Sequence, residues 1–200
     1  MKKIVFNNIY YLTDSVIMGI KDMTRRIIPF KTCIKWGVNK FSFDSLKSYL
    51  IRDAPYKIGE KIAIAQPYRE CVSYIKSLNE FKSCTWEGIE AYLKRLSGWN
   101  NPMFVKAEWM PYYIEITNIR AEHLHDITDE ECLREGIRIC EFYKNEPRKY
   151  YYHIDYLFQT PRDAFHSLID RICAPTTWSD NPYVYVYEFK VMKHETENLD

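Results

Sequence analysis

Two hundred residues, 46% of them apolar and 28% charged, have the composition of a folded domain with a core, which excludes a disordered tail or a membrane bundle. Lys and Arg (28) nearly cancel Asp and Glu (27), leaving a formal net charge of +1, so affinity for a nucleic acid has to come from a local basic patch and not from whole-protein attraction. One domain over residues 1–200 is expected.

"MKKIVFNNIYYL" starts like a secretory segment, but Asn7 and Asn8 interrupt its apolar run and no small-residue cleavage site follows. Nor does any apolar stretch approach the roughly 20 residues that span a bilayer. The expectation is a cytoplasmic protein without membrane contact. Its six cysteines (Cys33, Cys71, Cys84, Cys132, Cys140, Cys173) form no C-x-x-C pair and are read as reduced thiols.

Within that opening segment, "KKIVF" reads as a strand. "TDSVIMG" reads as a short helix with Thr13 or Asp14 at its N-cap and Gly19 ending it. "FDSLKSYLIRDAP" has a helical pattern that stops before Pro55, and "YKIGEKIAIAQPY" gives a turn at Gly59 and a strand through Ile62 and Ile64. Residues 70–106 are less regular, with one inserted helix in which Trp86, Ile89, Leu93 and Leu96 recur at helical spacing up to Gly98. "MPYYIEITNIRAEHL" then alternates, with Tyr112, Ile114 and Ile116 on one side and Tyr113, Glu115 and Thr117 on the other, as a half-buried strand does.

"ITDEEC" carries the strongest local signal. Thr128 is an N-cap, Glu131 completes a capping box three residues on, and Ile127 with Cys132 makes a hydrophobic staple. That helix stops at Gly136. "TPRDAFHSLIDRIC" repeats the logic, with Thr160 as cap, Pro161 at the first helical position, and Phe165, Leu168, Ile169 and Ile172 on one face. "PYVYVYEFKVM" closes the chain as a strand with Tyr183, Tyr185, Tyr187, Phe189 and Val191 on one side, and "KHETENLD" is a polar tail. Strands bracket the chain and helices are inserted between them without regular alternation, so the expected class is α+β around a small, mostly antiparallel, barrel-like sheet.

The chain has no G-x-x-x-x-G-K-[ST], G-x-G-x-x-G or G-x-S-x-G motif, so phosphate-loop, dinucleotide and hydrolase-elbow chemistries lack their usual anchors. His123 and His125, flanked by Glu122 and Asp126, read as polar residues at a strand end; alternate strand residues do not converge and no second ligand cluster accompanies them, so no metal is expected. Cys132 and Cys140, separated by Gly136, read as structural thiols. Tyr150, Tyr151 and Tyr152 after Arg148 and Lys149 interleave basic and aromatic character as single-strand binders do; packing of alternate tyrosines into the core is the preferred reading.

"GIKDMTRR" places Lys21, Thr24, Arg25 and Arg26 just after a helix stop. A lysine beside a hydroxyl acts as base toward it when its ammonium is desolvated or crowded by other cations, and Arg25 and Arg26 supply such crowding. A basic helix end favoured by the macrodipole accounts for the same residues. Glu135 stands in the last turn of its helix, where a carboxylate meets the negative end of the dipole at a cost of a few tenths to about 1 kcal/mol. That position is not chosen for stability and suits a proton donor.

Four pieces in order, "GIKDMTRR", "YKIGEKIAIAQPY", "IEITNIRAEHLHDITDEECLREGI" and "NPYVYVYEFKVM", resemble the ASCH domain of the PUA-like superfamily, in the longer form met in phage-related and gut-bacterial proteins. The matched pieces cover about half the chain and leave residues 28–55, 70–106 and 137–176 as insertions. The resemblance implies a small β-barrel flanked by helices, with a cleft for RNA or a modified nucleoside. Small bacterial members are amidohydrolases that deacylate N4-acetylcytidine with a lysine, a threonine and a glutamate, which fall here on Lys21, Thr24 and Glu135. Where many relatives have an acidic V-R-E-x-W pattern, this chain has Ala65, Gln66, Pro67 and Tyr68; Gln66 can hydrogen-bond a base edge but cannot act as a base.

Three functional readings follow. In the first, the cleft binds RNA or a modified nucleoside, with Lys21, Arg25 and Arg26 toward phosphates, Gln66 toward a base edge, and Tyr68 or Trp178 for stacking. In the second, Lys21 takes the proton of Thr24, Thr24 attacks an acyl carbon, and Glu135 supplies or steers a proton to the leaving amine beside a backbone oxyanion hole, with no metal or organic cofactor. In the third, the protein is a phage or prophage accessory acting through protein interaction, with Trp86, Trp99 and Trp109 as its aromatic surface.

Overall fold

The computed structural model describes residues 1–37, 43–140, 149–153 and 156–194. In chain order the elements begin β1 (Lys2–Ile4), α1 (Leu12–Ile17), β2 (Met23–Ile27), α2 (Phe30–Lys35), α3 (Phe43–Arg52) and β3 (Lys61–Ile64). They continue with α4 (Tyr68–Ser77), α5 (Trp86–Lys94), β4 (Tyr112–His123), α6 (Asp129–Arg134) and β5 (Arg138–Cys140). The last are β6 (Lys149–Tyr151), α7 (Pro161–Ile172), α8 (Thr177–Asp180) and β7 (Tyr183–Lys193).

The two long strands, β4 and β7, form the spine. They run antiparallel from Tyr112 opposite Lys193 to His123 opposite Tyr183, with a register shift between Ile116 and Asn118 that leaves Thr117 as the extra residue of a bulge. β3 pairs antiparallel with β4 and β2 antiparallel with β7, while β1 lies parallel to β3, giving the order β1-β3-β4-β7-β2. β5 and β6 make a separate two-stranded sheet. The α+β class is as expected, but the main sheet is mixed. Among the described residues no ladder closes it into a barrel. The outer strands are linked instead by a side chain, since Arg26 Nη2 donates to Val5 O at 2.9 Å and the guanidinium lies 5.7 Å from the Phe6 ring centre.

The tyrosine face expected for the last strand is only half of its pattern. Val184, Tyr185, Val186 and Tyr187 are all buried, because "YVYVY" offers apolar groups on both faces. Segments read as insertions supply part of the cover: Leu46 and Leu50 of α3, and Phe165 and Leu168 of α7, join the same core. Tyr152 is buried there as well, stacked on Tyr156 and Phe158.

Local signals are realised where their chemistry is self-contained. Thr128 accepts from Glu131 N while Glu131 accepts from Thr128 N, and Thr160 accepts from Asp163 N. α1 departs from expectation: its N-cap is Tyr11 in the left-handed region, at φ 55°, with no side-chain cap, and Thr13 and Asp14 lie inside the first turn.

Residues 70–106 are more ordered than their sequence suggested. α4, with Tyr68, Cys71, Val72 and Ile75 buried, packs with α5 and the Ala63 and Ala65 end of β3 into a second core. Trp109 is buried in it and donates to Glu80 Oε1 at 2.5 Å, while Trp86 is exposed. Among the described residues no helix is long and apolar enough to cross a membrane.

The Tyr68 ring fixes the tightest backbone approach in this second core. Its hydroxyl accepts from Lys106 N at 2.8 Å, and a Cβ on Gly98 would lie 2.5 Å from Tyr68 Cε2 and 3.1 Å from Phe104 O. Gly98→Ala is expected to lower the unfolding free energy by about 1–3 kcal/mol, the usual cost of overpacking, as read from urea denaturation.

Candidate functional site

The polypeptide leaves α1 through Gly19 and doubles back, with the N–H groups of Ile20 and Lys21 both donating to Ser15 O at 2.9 Å. This anchors Lys21 just ahead of β2. On the facing side α6 ends at Glu135, and Gly136, at φ +103°, turns the chain away. A Cβ on Gly136 would sit 3.4 Å from Leu12 Cδ2 and 3.6 Å from Lys21 Cδ. Both the backbone angle and the Lys21 stem resting there favour glycine.

Lys21 Nζ donates to the backbone O of Glu135 at 2.8 Å and to Glu135 Oε2 at 2.5 Å. The two residues are 2% and 4% exposed. The carboxylate cost expected at a helix C-terminus is thus offset by a buried cation that also satisfies the terminal carbonyl. Burial is the strongest influence on the Lys21 ammonium and pushes its pKa down. Glu135 pulls it up, Arg26 and Arg25 push it down again, and the result lies below the ordinary lysine value.

Arg25 holds the other carboxylate oxygen, with Nη1 3.2 Å from Glu135 Oε1. Its Nη2 is 2.7 Å from both Glu122 Oε1 and Glu131 Oε2. Arg120 continues the network to Glu122, Glu131 and Glu188, and Arg134 joins Glu188 to Asp22. Four cations (Lys21, Arg25, Arg120, Arg134) face five carboxylates (Asp22, Glu122, Glu131, Glu135, Glu188), so the group has no spare positive charge for a phosphate. The phosphate-facing role expected of Arg25 gives way to this internal one.

A cavity of about 480 Å³ opens beside β2, lined by Lys21, Thr24, Arg25, Arg26 and Glu135. Thr24 and Arg26 project from one face of the strand and Met23 and Arg25 from the other, and an edge strand exposes both to the same cleft. The Thr24 hydroxyl makes no hydrogen bond to a described residue, Lys21 included. Leu12, Phe6 and the apolar stripe of α7 line the rest of the wall.

The remaining expected ligand contacts lie elsewhere. Gln66 is buried at the end of β3 with Oε1 unbonded among the described residues. Tyr68, 1% exposed, presents no face for stacking. Trp178 packs on the outer side of α7 against His125, His166 and Arg162. His123 Nδ1 and His125 Nε2 lie 3.2 and 2.7 Å from the backbone carbonyls of Asn181 and Trp178. Cys132 is buried, which pushes its thiol up to about 12, in keeping with an inert structural residue.

Sequence reading missed Glu122, Glu131, Arg120, Glu188 and Arg134 as a unit. The signal was present in the i, i+2 pair Arg120 and Glu122, charged positions on a strand whose partner helix brings Glu131. The α7 face of Phe165, Leu168, Ile169 and Ile172, expected as one side of a helix, also lines the cavity. Compared with protein-family models, curated proteins and solved structures, the chain matches none.

Arg25→Met leaves three carboxylates around an apolar side chain, and a loss of about 3–5 kcal/mol is expected, the range for breaking a buried ion pair. Burial opposes ionisation of Glu131, but the Thr128 N–H with Arg25 and Arg120 outweighs it and holds the carboxyl below its ordinary 4.5; Glu188 is likewise held low against burial by Arg134 and Asn118. Such groups contribute stability present above pH 4.5 and lost as pH falls through their folded pKa. Urea melts at about pH 7 and pH 4 should therefore show a steep acid loss in the native protein and a shallower one in Arg25→Met.

Proposed function

We propose that the cleft binds a single nucleoside-sized molecule, of the modified-nucleoside type that the ASCH resemblance implies, and hydrolyses an amide bond on it. The observation that carries this is the placement of Lys21, Thr24 and Glu135 on one cavity, with the lysine and glutamate buried against each other and the threonine hydroxyl without a hydrogen bond among the described residues. A cavity of about 480 Å³ lies within the roughly 300–1,000 Å³ of small-molecule sites. Its size favours a small ligand over an extended RNA strand, which needs a groove several nucleotides long.

In this mechanism Thr24 Oγ1 attacks the carbonyl carbon as its proton passes to the Lys21 amine. Burial and the two arginines favour the neutral amine that this step needs. Arg26, whose Nε is buried and unbonded among the described residues, offers an N–H donor to the developing oxyanion. Collapse of the tetrahedral intermediate breaks the C–N bond, and the proton held by the Lys21–Glu135 pair goes to the leaving amine. Water then hydrolyses the threonine ester, releasing the carboxylic acid and restoring the hydroxyl.

Chromatographic assay of N4-acetylcytidine is the direct test. Turnover by the native protein and a loss of at least about 10³-fold in Thr24→Ala, as for removal of a nucleophile, are expected; equal turnover in the two would reject the mechanism. Because Lys21 must be deprotonated, kcat/KM should rise with pH through an apparent pKa below 10.5. Lys21→Arg should abolish that rise along with the activity.

A further inference from the structure

Resting on that reading of the cavity, we infer that its ligand carries an anion, the phosphate of a nucleoside monophosphate, and that Arg26 is the residue that holds it. Among the described residues three cations (Lys21, Arg25, Arg26) and one carboxylate (Glu135) line the cavity. Both oxygens of that carboxylate are taken, Oε2 by Lys21 and Oε1 by Arg25. Arg25 is met in turn by Glu122 and Glu131. Arg26 has no carboxylate partner among the described residues, and its one hydrogen bond runs from Nη2 to Val5 O. It stands outside the charge network, and its own charge is left uncompensated on the cavity wall.

The guanidinium is nonetheless held in place. It lies 5.7 Å from the Phe6 ring centre and against the Val5 carbonyl, and both residues line the same cavity. Of the five N–H donors of an arginine, Nη2 uses one on Val5 O, and Nε, buried and unbonded, is the donor given to the oxyanion. Nη1 and the second hydrogen of Nη2 remain, and they form the end of a planar fork that pairs with two oxygens of a phosphate. A half-buried cation without a counter-charge carries a desolvation cost that an arriving anion offsets. Thr24 and Arg26 lie on one face of β2, two residues or about 7 Å apart along the strand. A mononucleotide is long enough to present an amide on its base to the first and its phosphate to the second.

Calorimetric binding to Thr24→Ala compares N4-acetylcytidine with its 5′- and 3′-monophosphates, since either position can carry the phosphate. At least one monophosphate should bind about tenfold or more tighter than the nucleoside, as for hydrogen bonds between charged groups. That advantage should shrink as NaCl is raised, which a purely steric fit would not show. Arg26→Gln in the same background should erase it, and Arg26→Lys, which keeps the charge and loses the fork, should retain part of it. Equal or weaker binding of both monophosphates would overturn the inference, and turnover of the nucleoside by the native protein would then leave the hydrolase reading standing. An advantage undiminished in Arg26→Gln would overturn the assignment to Arg26. Tighter monophosphate binding, with none of the three turned over by the native protein, would uphold the anion site and overturn the hydrolase. Binding of none of the three would overturn both.

Discussion

Arg25 is the constraint around which the site is assembled. A guanidinium removed from water costs several kcal/mol unless its donors are met, and here Nη1 and Nη2 reach three carboxylates drawn from β4, α6 and the residue that ends α6. The planar fork matters, since a lysine ammonium at this place is a point charge without the geometry to hold Glu122, Glu131 and Glu135 apart and in register. Because β2 pairs with β7, and β7 with β4, the ion pairs also fix how α6 sits on the sheet. The helix that carries Glu135 is thereby delivered to Lys21.

A single edge strand divides the labour. Arg25 holds the charge network, Thr24 and Arg26 on the opposite face of β2 line the cleft that Arg25 also reaches, and Lys21 just upstream joins network and cleft through Glu135. This explains how a buried lysine is tolerated beside two arginines. Glu135 is shared between Lys21 and Arg25, and its position at the helix terminus, unfavourable in isolation, becomes the place where two cations and a terminal carbonyl are satisfied together.

What the sequence disclosed and withheld follows the reach of each signal. The Thr128 and Glu131 box and the Thr160 and Pro161 start were legible because every participating atom lies within a few residues. α4 lies at the start of the segment expected to be irregular, although Tyr68, Cys71, Val72 and Ile75 recur at helical spacing. Lys21, Thr24 and Glu135, legible by residue type and by resemblance, share a cavity. The partners of Arg25 were not legible, because Glu122, Glu131 and Glu135 come from about a hundred residues downstream and meet it only through strand order. Tyr68 and Gln66 are a base-stacking and a base-pairing side chain by type, but both are buried at the second core.

The link between Arg26 and Val5 O, where a barrel would have a backbone ladder, gives the cleft a particular kind of seam. A ladder opens only by breaking several bonds in concert, whereas one side-chain hydrogen bond is worth about 0.5–1.5 kcal/mol net. The outer strands are thus held at this point by a side chain that also lines the cleft, and not by the backbone.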